Sequence, residues 1–262
     1  MTKSWLSRMT VIFAGLASLL MFTWPLLTQA PTPNEANLAQ TVFIGLMPLI
    51  LLVVLSEFAT GGISAKQLAL LGVLTALNAV VRLLGAGTAG IETAFFIIVI
   101  GAYVFGSGFG FILGSTSLLV SALLTGGIGP WLPFQMMSAG LVGLGAGALP
   151  KMSDSGQTRV RRKELLLLAS YGIIAAFIYG GLMTLWNWPF LAGTGSSISY
   201  SPGAPLLENL GRFIQYELLT GGLLWDLGRA ITTTVLIWLT APALLATLRR
   251  AASRAGIERL EA

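Results

Sequence analysis

The chain has 262 residues, of which 55% are hydrophobic and only 10% charged, against about 25% charged in a soluble globular domain; this excludes a water-solvated fold and implies lipid as solvent. With no His and no Cys, imidazole and thiolate ligands, disulfides and His-based catalysis are excluded, so neither a bound metal nor a cofactor is expected. The net charge of +5 does not point to nucleic acid, because the basic residues form short clusters beside apolar runs without interleaved aromatics, which topology and anionic lipid explain better.

A helical span needs roughly 20 apolar residues to cross about 30 Å of hydrocarbon with its backbone groups satisfied internally. Eight runs are predicted as such helices, namely Met9 to Leu27, Thr41 to Leu55, Ala65 to Leu84, Glu92 to Phe105, Phe109 to Leu124, Pro133 to Leu149, Leu165 to Leu185 and Trp225 to Leu248. The second and fourth are short for a full span. The fold class is therefore an all-α polytopic membrane bundle. Threaded from a cytoplasmic amino terminus, Lys3, Arg8, Lys66, Lys151, Arg159, Arg161, Arg162, Lys163, Arg249, Arg250, Arg254 and Arg259 fall inside, and only Arg82, Arg212 and Arg229 fall outside. Such a bias fixes orientation, here as a multi-pass protein of a bacterial inner (plasma) membrane with both termini cytoplasmic. The first run also reads as a signal sequence, since Lys3 and Arg8 precede it and Thr28-Gln29-Ala30 loosely resembles a cleavage site. Against that, the run is long and Pro31 would follow the cut.

The polar intervals are Met152 to Lys163, basic and cytoplasmic, and Trp186 to Leu224, external and rich in Gly, Ser, Pro and aromatics. Neither resembles a linker between soluble domains. The absence of an internal repeat counts against an inverted-repeat transporter, and without a Walker-type phosphate loop any ATP hydrolysis must come from another chain.

Helices in lipid associate where small residues let backbones approach. Gly106, Gly110 and Gly114 recur at four-residue spacing, as do Ala139, Gly143 and Gly147, and ordinary packing within the chain accounts for both sets. Ala65 and Ala69, continued by Gly72 and Ala76, form another stripe that suits a partner helix.

Polar groups cluster toward the outer side. Asn78 and Arg82 share a face of the third run, and Glu92 opens the fourth across the Gly85 to Gly90 turn, so the three are placed to meet. Equally, Arg82 is able to snorkel and Glu92 to favour a helix amino terminus. Thr125 to Gln135 is an external re-entry in which Trp131 serves as a lid or an interfacial anchor and Gln135 as a directional hydrogen-bonding group. The long external segment supplies Trp186, Asn187, Trp188, Tyr200, Arg212, Tyr216 and Glu217, leading into Trp225, Asp226 and Arg229. Asp226 and Arg229 form either an intrahelical pair or, facing the bundle, part of a polar cavity.

The segments Thr-Gly-Gly-Ile-Gly-Pro-Trp-Leu-Pro-Phe-Gln at Thr125 to Gln135 and Gly-Ile-Glu-Thr-Ala-Phe-Phe at Gly90 to Phe96, with the Ala65/Ala69 pair, resemble the substrate-binding S component of energy-coupling-factor (ECF) vitamin transporters. The resemblance covers about Ala65 to Leu248. It implies a six-helix substrate-binding core at 65–262, preceded by an amino-terminal transmembrane hairpin at 1–64 that departs from the family. It further implies capture of a vitamin-like small molecule without chemical change, and partnership with a membrane coupling subunit and two cytoplasmic ATPases. Carried over residue by residue, Ala65 and Ala69 contact the coupling subunit. Expected substrate contacts are Asn78, Arg82, Glu92, Trp131 and Gln135, then Trp188, Asp226 and Arg229. The aromatic outer segment suits a sizeable ligand, a cobalamin-type compound or precursor among them. The alternative is a stand-alone secondary carrier coupled to protons through Glu92, Asp226 or Glu57, although all three sit near helix ends. A lipid transferase is disfavoured because the ten acidic residues are dispersed. No enzyme activity is expected.

Overall fold

The computed structural model describes residues 5–27, 33–60, 64–85, 90–152, 160–191 and 195–255. Among them are ten helices and no strand: α1 (Trp5–Leu27), α2 (Pro33–Thr60), α3 (Ala65–Leu83), α4 (Phe95–Phe105), α5 (Ser107–Thr125), α6 (Leu132–Ala148), α7 (Arg162–Leu185), α8 (Trp188–Leu191), α9 (Leu206–Thr220) and α10 (Gly222–Ala255). All eight expected runs are helical. The additions are α8 and α9, which stand where sequence reading placed an irregular external segment. Of the described helices, α3, α5, α7 and α10 are long and apolar enough to cross a membrane. Residues 28–30 and 86–89, Lys3, Arg159 and Arg259 lie outside the described residues, as does the side chain of Glu57.

The centre of the bundle is α4, whose residues Phe95 to Tyr103 are all buried. An apolar helix without a polar face is stable only when surrounded, and α3, α5, α6, α7 and α10 all pack on it. At 11 residues it spans only about 16 Å, roughly half the hydrocarbon thickness. The two glycine-rich stripes face each other in antiparallel register across α5 and α6. A Cβ on Gly143 would lie 2.0 Å from the Gly110 carbonyl oxygen, and one on Gly114 would lie 2.1 Å from that of Ala139. Their small residues are thus consumed in intramolecular backbone approach.

Helix α3 begins with a reciprocal cap, in which the Gln67 backbone N–H donates to Ser64 Oγ at 3.3 Å and the Ser64 N–H donates to Gln67 Oε1 at 2.9 Å; two of the four orphan amide groups at the helix start are satisfied in this way. The α1–α2 hairpin packs on α5, α6, α7 and α9. Phe22 meets Phe134 edge-on at 5.5 Å, and the fully enclosed Trp24 donates its indole N–H to the Trp186 carbonyl at 2.8 Å.

The two ends of the bundle differ. At the basic end, Glu164 of α7 is completely buried and pairs with Arg249 of α10, while Tyr103 donates its hydroxyl to Glu164 Oε1 at 2.9 Å. Lys151 bonds the Tyr103 carbonyl and lies 4.2 Å over its ring. Two cations of the orientation signal thus also tie α4, α7, α10 and the α6–α7 connection together. At the opposite end, α8, α9 and residues 195–205 form a cap. Its interior is Leu185, Trp188, Tyr200 and Tyr216, braced by reciprocal 3.0 Å bonds between Asn209 and the Ser201 backbone.

Candidate functional site

Beneath the cap, ionisable side chains from α9 and α10 converge on one face of α7. Ala176, Gly180 and Thr184 recur at four-residue spacing and so lie above one another on that face. The lowest position receives Arg229, which donates to the Ala176 carbonyl at 3.3 Å. Above it, Asp226 lies so close to Gly180 that a Cβ there would come within 1.7 Å of its Oδ1. At the top, the Glu217 carboxylate of α9 lies near the Thr184 hydroxyl. Arg229 and Asp226 pair with each other, and both are nearly enclosed, with side-chain exposures of 12% and 7%. The pair therefore faces the bundle, resolving the two options left by spacing alone. Phe95 and Tyr179 stack edge-on at 4.9 Å, with the Arg229 guanidinium 5.8 and 5.0 Å from their ring centres.

A second pair comes from the α3–α4 turn. Arg82 Nε lies 3.5 Å from Glu92 Oε1, and Arg82 Nη1 donates to Ser121 Oγ at 3.0 Å. Glu92 also accepts from the Ala94 backbone N–H at 3.2 Å, and Thr93 donates to the Val81 carbonyl at 2.7 Å, which fixes the turn. Gly90 adopts a φ of +77°, and a Cβ there would lie 2.5 Å from the Trp225 carbonyl oxygen. Only glycine serves both the left-handed backbone and the close approach, and through it the Arg82–Glu92 turn is held against the start of α10. Tyr179 lies within electrostatic range of Arg82, Glu92, Asp226 and Arg229 together. The two ion pairs thus lie near one aromatic wall formed by Phe95 and Tyr179.

Asn78, one turn below Arg82, is fully buried, and neither its carboxamide oxygen nor its nitrogen has a protein partner. It therefore does not join the Arg82–Glu92 pair as its spacing suggested. Thr75 on the same face shares a 3.0 Å hydrogen bond with Thr116 of α5, while the equally buried Ser117 hydroxyl is also without a partner. A buried amide that forgoes both a donor and an acceptor contact costs on the order of 1–3 kcal/mol for each group left unmade, which an entering polar molecule would relieve.

Trp131 precedes α6 and is 47% exposed, its ring folded over Gly129. Gln135 is half-buried, four residues on, with its backbone N–H donating to the Trp131 carbonyl at 2.9 Å. Trp188 differs from expectation. It is fully buried in the cap, donates its indole N–H to the Ile198 carbonyl at 2.9 Å, and meets Tyr200 and Phe213 edge-on at 5.7 and 5.5 Å. All of its surface and its one donor are used in building the cap, so it is a cap-forming residue rather than a presented contact.

Glu217, named among the external residues, is not among the expected contacts, because the sequence does not mark α9 as a helix. One of its carboxylate oxygens is buried without a hydrogen-bond partner. Its helix α9 is not among the described helices long and apolar enough to cross a membrane, and burial pushes its carboxyl above the ordinary value. At the other end of the chain's partner-facing candidates, Ala65, Ala69, Gly72 and Ala76 are all exposed along α3, and open space surrounds Gly72.

Compared with known proteins, residues 62–199 match the family described as ECF-type riboflavin transporter, S component, a stretch covering more than half of the 262 residues. It runs from just before α3 to the cap and includes Arg82, Glu92, Trp131 and Gln135, while Glu217, Asp226 and Arg229 lie beyond it. No curated protein and no solved structure matches the chain.

Proposed function

This chain belongs to the family of ECF-type riboflavin transporter S components, and on that premise we propose that it captures riboflavin or a related vitamin in the chamber beneath its cap. The convergence of Arg82, Glu92, Phe95, Tyr179, Asp226 and Arg229 at one end of the bundle carries this reading. Apolar walls with a few converging polar groups are the usual makeup of a small-molecule site, and ionisable side chains at membrane depth are retained where they serve a polar path or ligand. Arg82, Glu92, Asp226 and Arg229 line the chamber, Asn78 offers an unsatisfied donor and acceptor at its base, and Trp131 and Gln135 contribute from the α5–α6 connection. Riboflavin, the vitamin in the family's description, takes precedence over a cobalamin-type compound.

The capping end faces outward and the basic end faces the cytoplasm of a bacterial cell, with both termini inside. Transport then requires a membrane coupling subunit and two cytoplasmic ATPases. The coupling subunit docks along Ala65, Ala69, Gly72 and Ala76, where the exposed small residues permit close helix approach. Residues 1–64 form an accessory hairpin beside this core.

Uptake into proteoliposomes tests the assignment. The chain alone should bind riboflavin without accumulating it, and accumulation should appear only with the coupling and ATPase subunits and ATP. Ala69→Leu should abolish accumulation while leaving binding intact. Ionophore-sensitive accumulation by the chain alone would instead establish the proton-coupled carrier.

A further inference from the structure

The two guanidinium groups of the chamber are each committed to a carboxylate, Arg82 to Glu92 and Arg229 to Asp226. Glu217 stands apart from both pairs. Among the described residues it has no salt bridge, its Oε1 is buried without a hydrogen-bond partner, and its Oε2 is pressed so near the backbone that a Cβ on Gly222 would lie 2.0 Å away. It lies on the same α7 face as the Asp226–Arg229 pair, one turn nearer the cap, and within electrostatic range of both. The helix that carries it is anchored by its neighbour Tyr216, which is buried in the cap interior, and the Glu217 side chain is itself half-buried.

A buried carboxylate oxygen with no donor is costly unless something supplies one. Three carboxylates and two guanidiniums also leave the chamber with one unbalanced negative charge when all are ionised. We propose that Glu217 is a charge-selecting residue of this chamber: its free oxygen accepts a hydrogen bond from a hydroxyl or N–H of the ligand, and its charge turns away an otherwise identical ligand bearing a phosphate. This rests on the flavin-capture reading above and adds to it a residue outside the stretch that matches the family.

The test is a titration of the purified full chain in detergent at pH 8 with riboflavin and, separately, with riboflavin 5′-phosphate. The wild-type chain should prefer riboflavin, and Glu217→Gln should narrow the preference about tenfold, as expected for removing one charge a few ångströms away in a partly screened site. Glu217→Asp, which keeps the charge, should retain the preference, and Glu217→Ala should lose it, so the result does not depend on one variant folding. An unchanged ratio in Glu217→Gln and Glu217→Ala overturns the assignment of Glu217 while leaving vitamin capture standing. Failure of the wild-type chain to bind either flavin overturns both.

Discussion

Arg82 shows how much one residue discloses. An arginine on the translocated side of a span runs against the orientation bias, and this one turns inward to Glu92 and Ser121. Asp226 and Arg229 were legible from their spacing, but the direction they face was not, because a three-residue interval is the same whether a helix face meets lipid or protein. The close contact with Gly180 decides it. Gly180→Ala should displace the Asp226 carboxylate and weaken vitamin binding at least tenfold, checked by equilibrium titration, whereas Gly181→Ala, with open space around it, should bind normally. Arg82→Ala and Trp131→Ala should also weaken binding without altering membrane insertion. Trp188 was misplaced by sequence because aromatic density on the outer side is the same whether an indole stacks on a ligand or fills a cap. Only its satisfied N–H and zero exposure distinguish the two.

The helices follow from their apolar runs, and the α5–α6 contact from four-residue spacing of small side chains. Overpacking such a contact costs typically about 1–3 kcal/mol. Gly143→Ala, which drives a methyl group into the Gly110 carbonyl, should therefore lower the unfolding temperature in detergent, and Gly181→Ala should not. Helix α9 escaped prediction for a physical reason. It is short, amphipathic rather than uniformly apolar, and contains Gly211 and three charged residues, Glu208, Arg212 and Glu217, so it lacks the long apolar run that marks the other helices. With α9 unseen, Glu217 had no face to belong to. The tie between Glu164 and Arg249 was equally hidden, since residues 85 positions apart in the chain share no local pattern and Arg249 was already explained by orientation.

For the whole molecule, family membership and a helical bundle are established. Because the chain has no cysteine, single cysteines report without background. Trp131→Cys and Arg212→Cys should react with an impermeant maleimide applied outside intact cells, and Lys66→Cys only after permeabilisation; labelling of the first two from opposite sides would break the chamber apart. The measurement that bears most directly on the central claim is riboflavin binding by the purified chain in detergent, without ATP or any partner. Saturable binding of one riboflavin per chain, weakened by Arg82→Ala and by Gly180→Ala, is the predicted result. No binding, or binding indifferent to both substitutions, would contradict it.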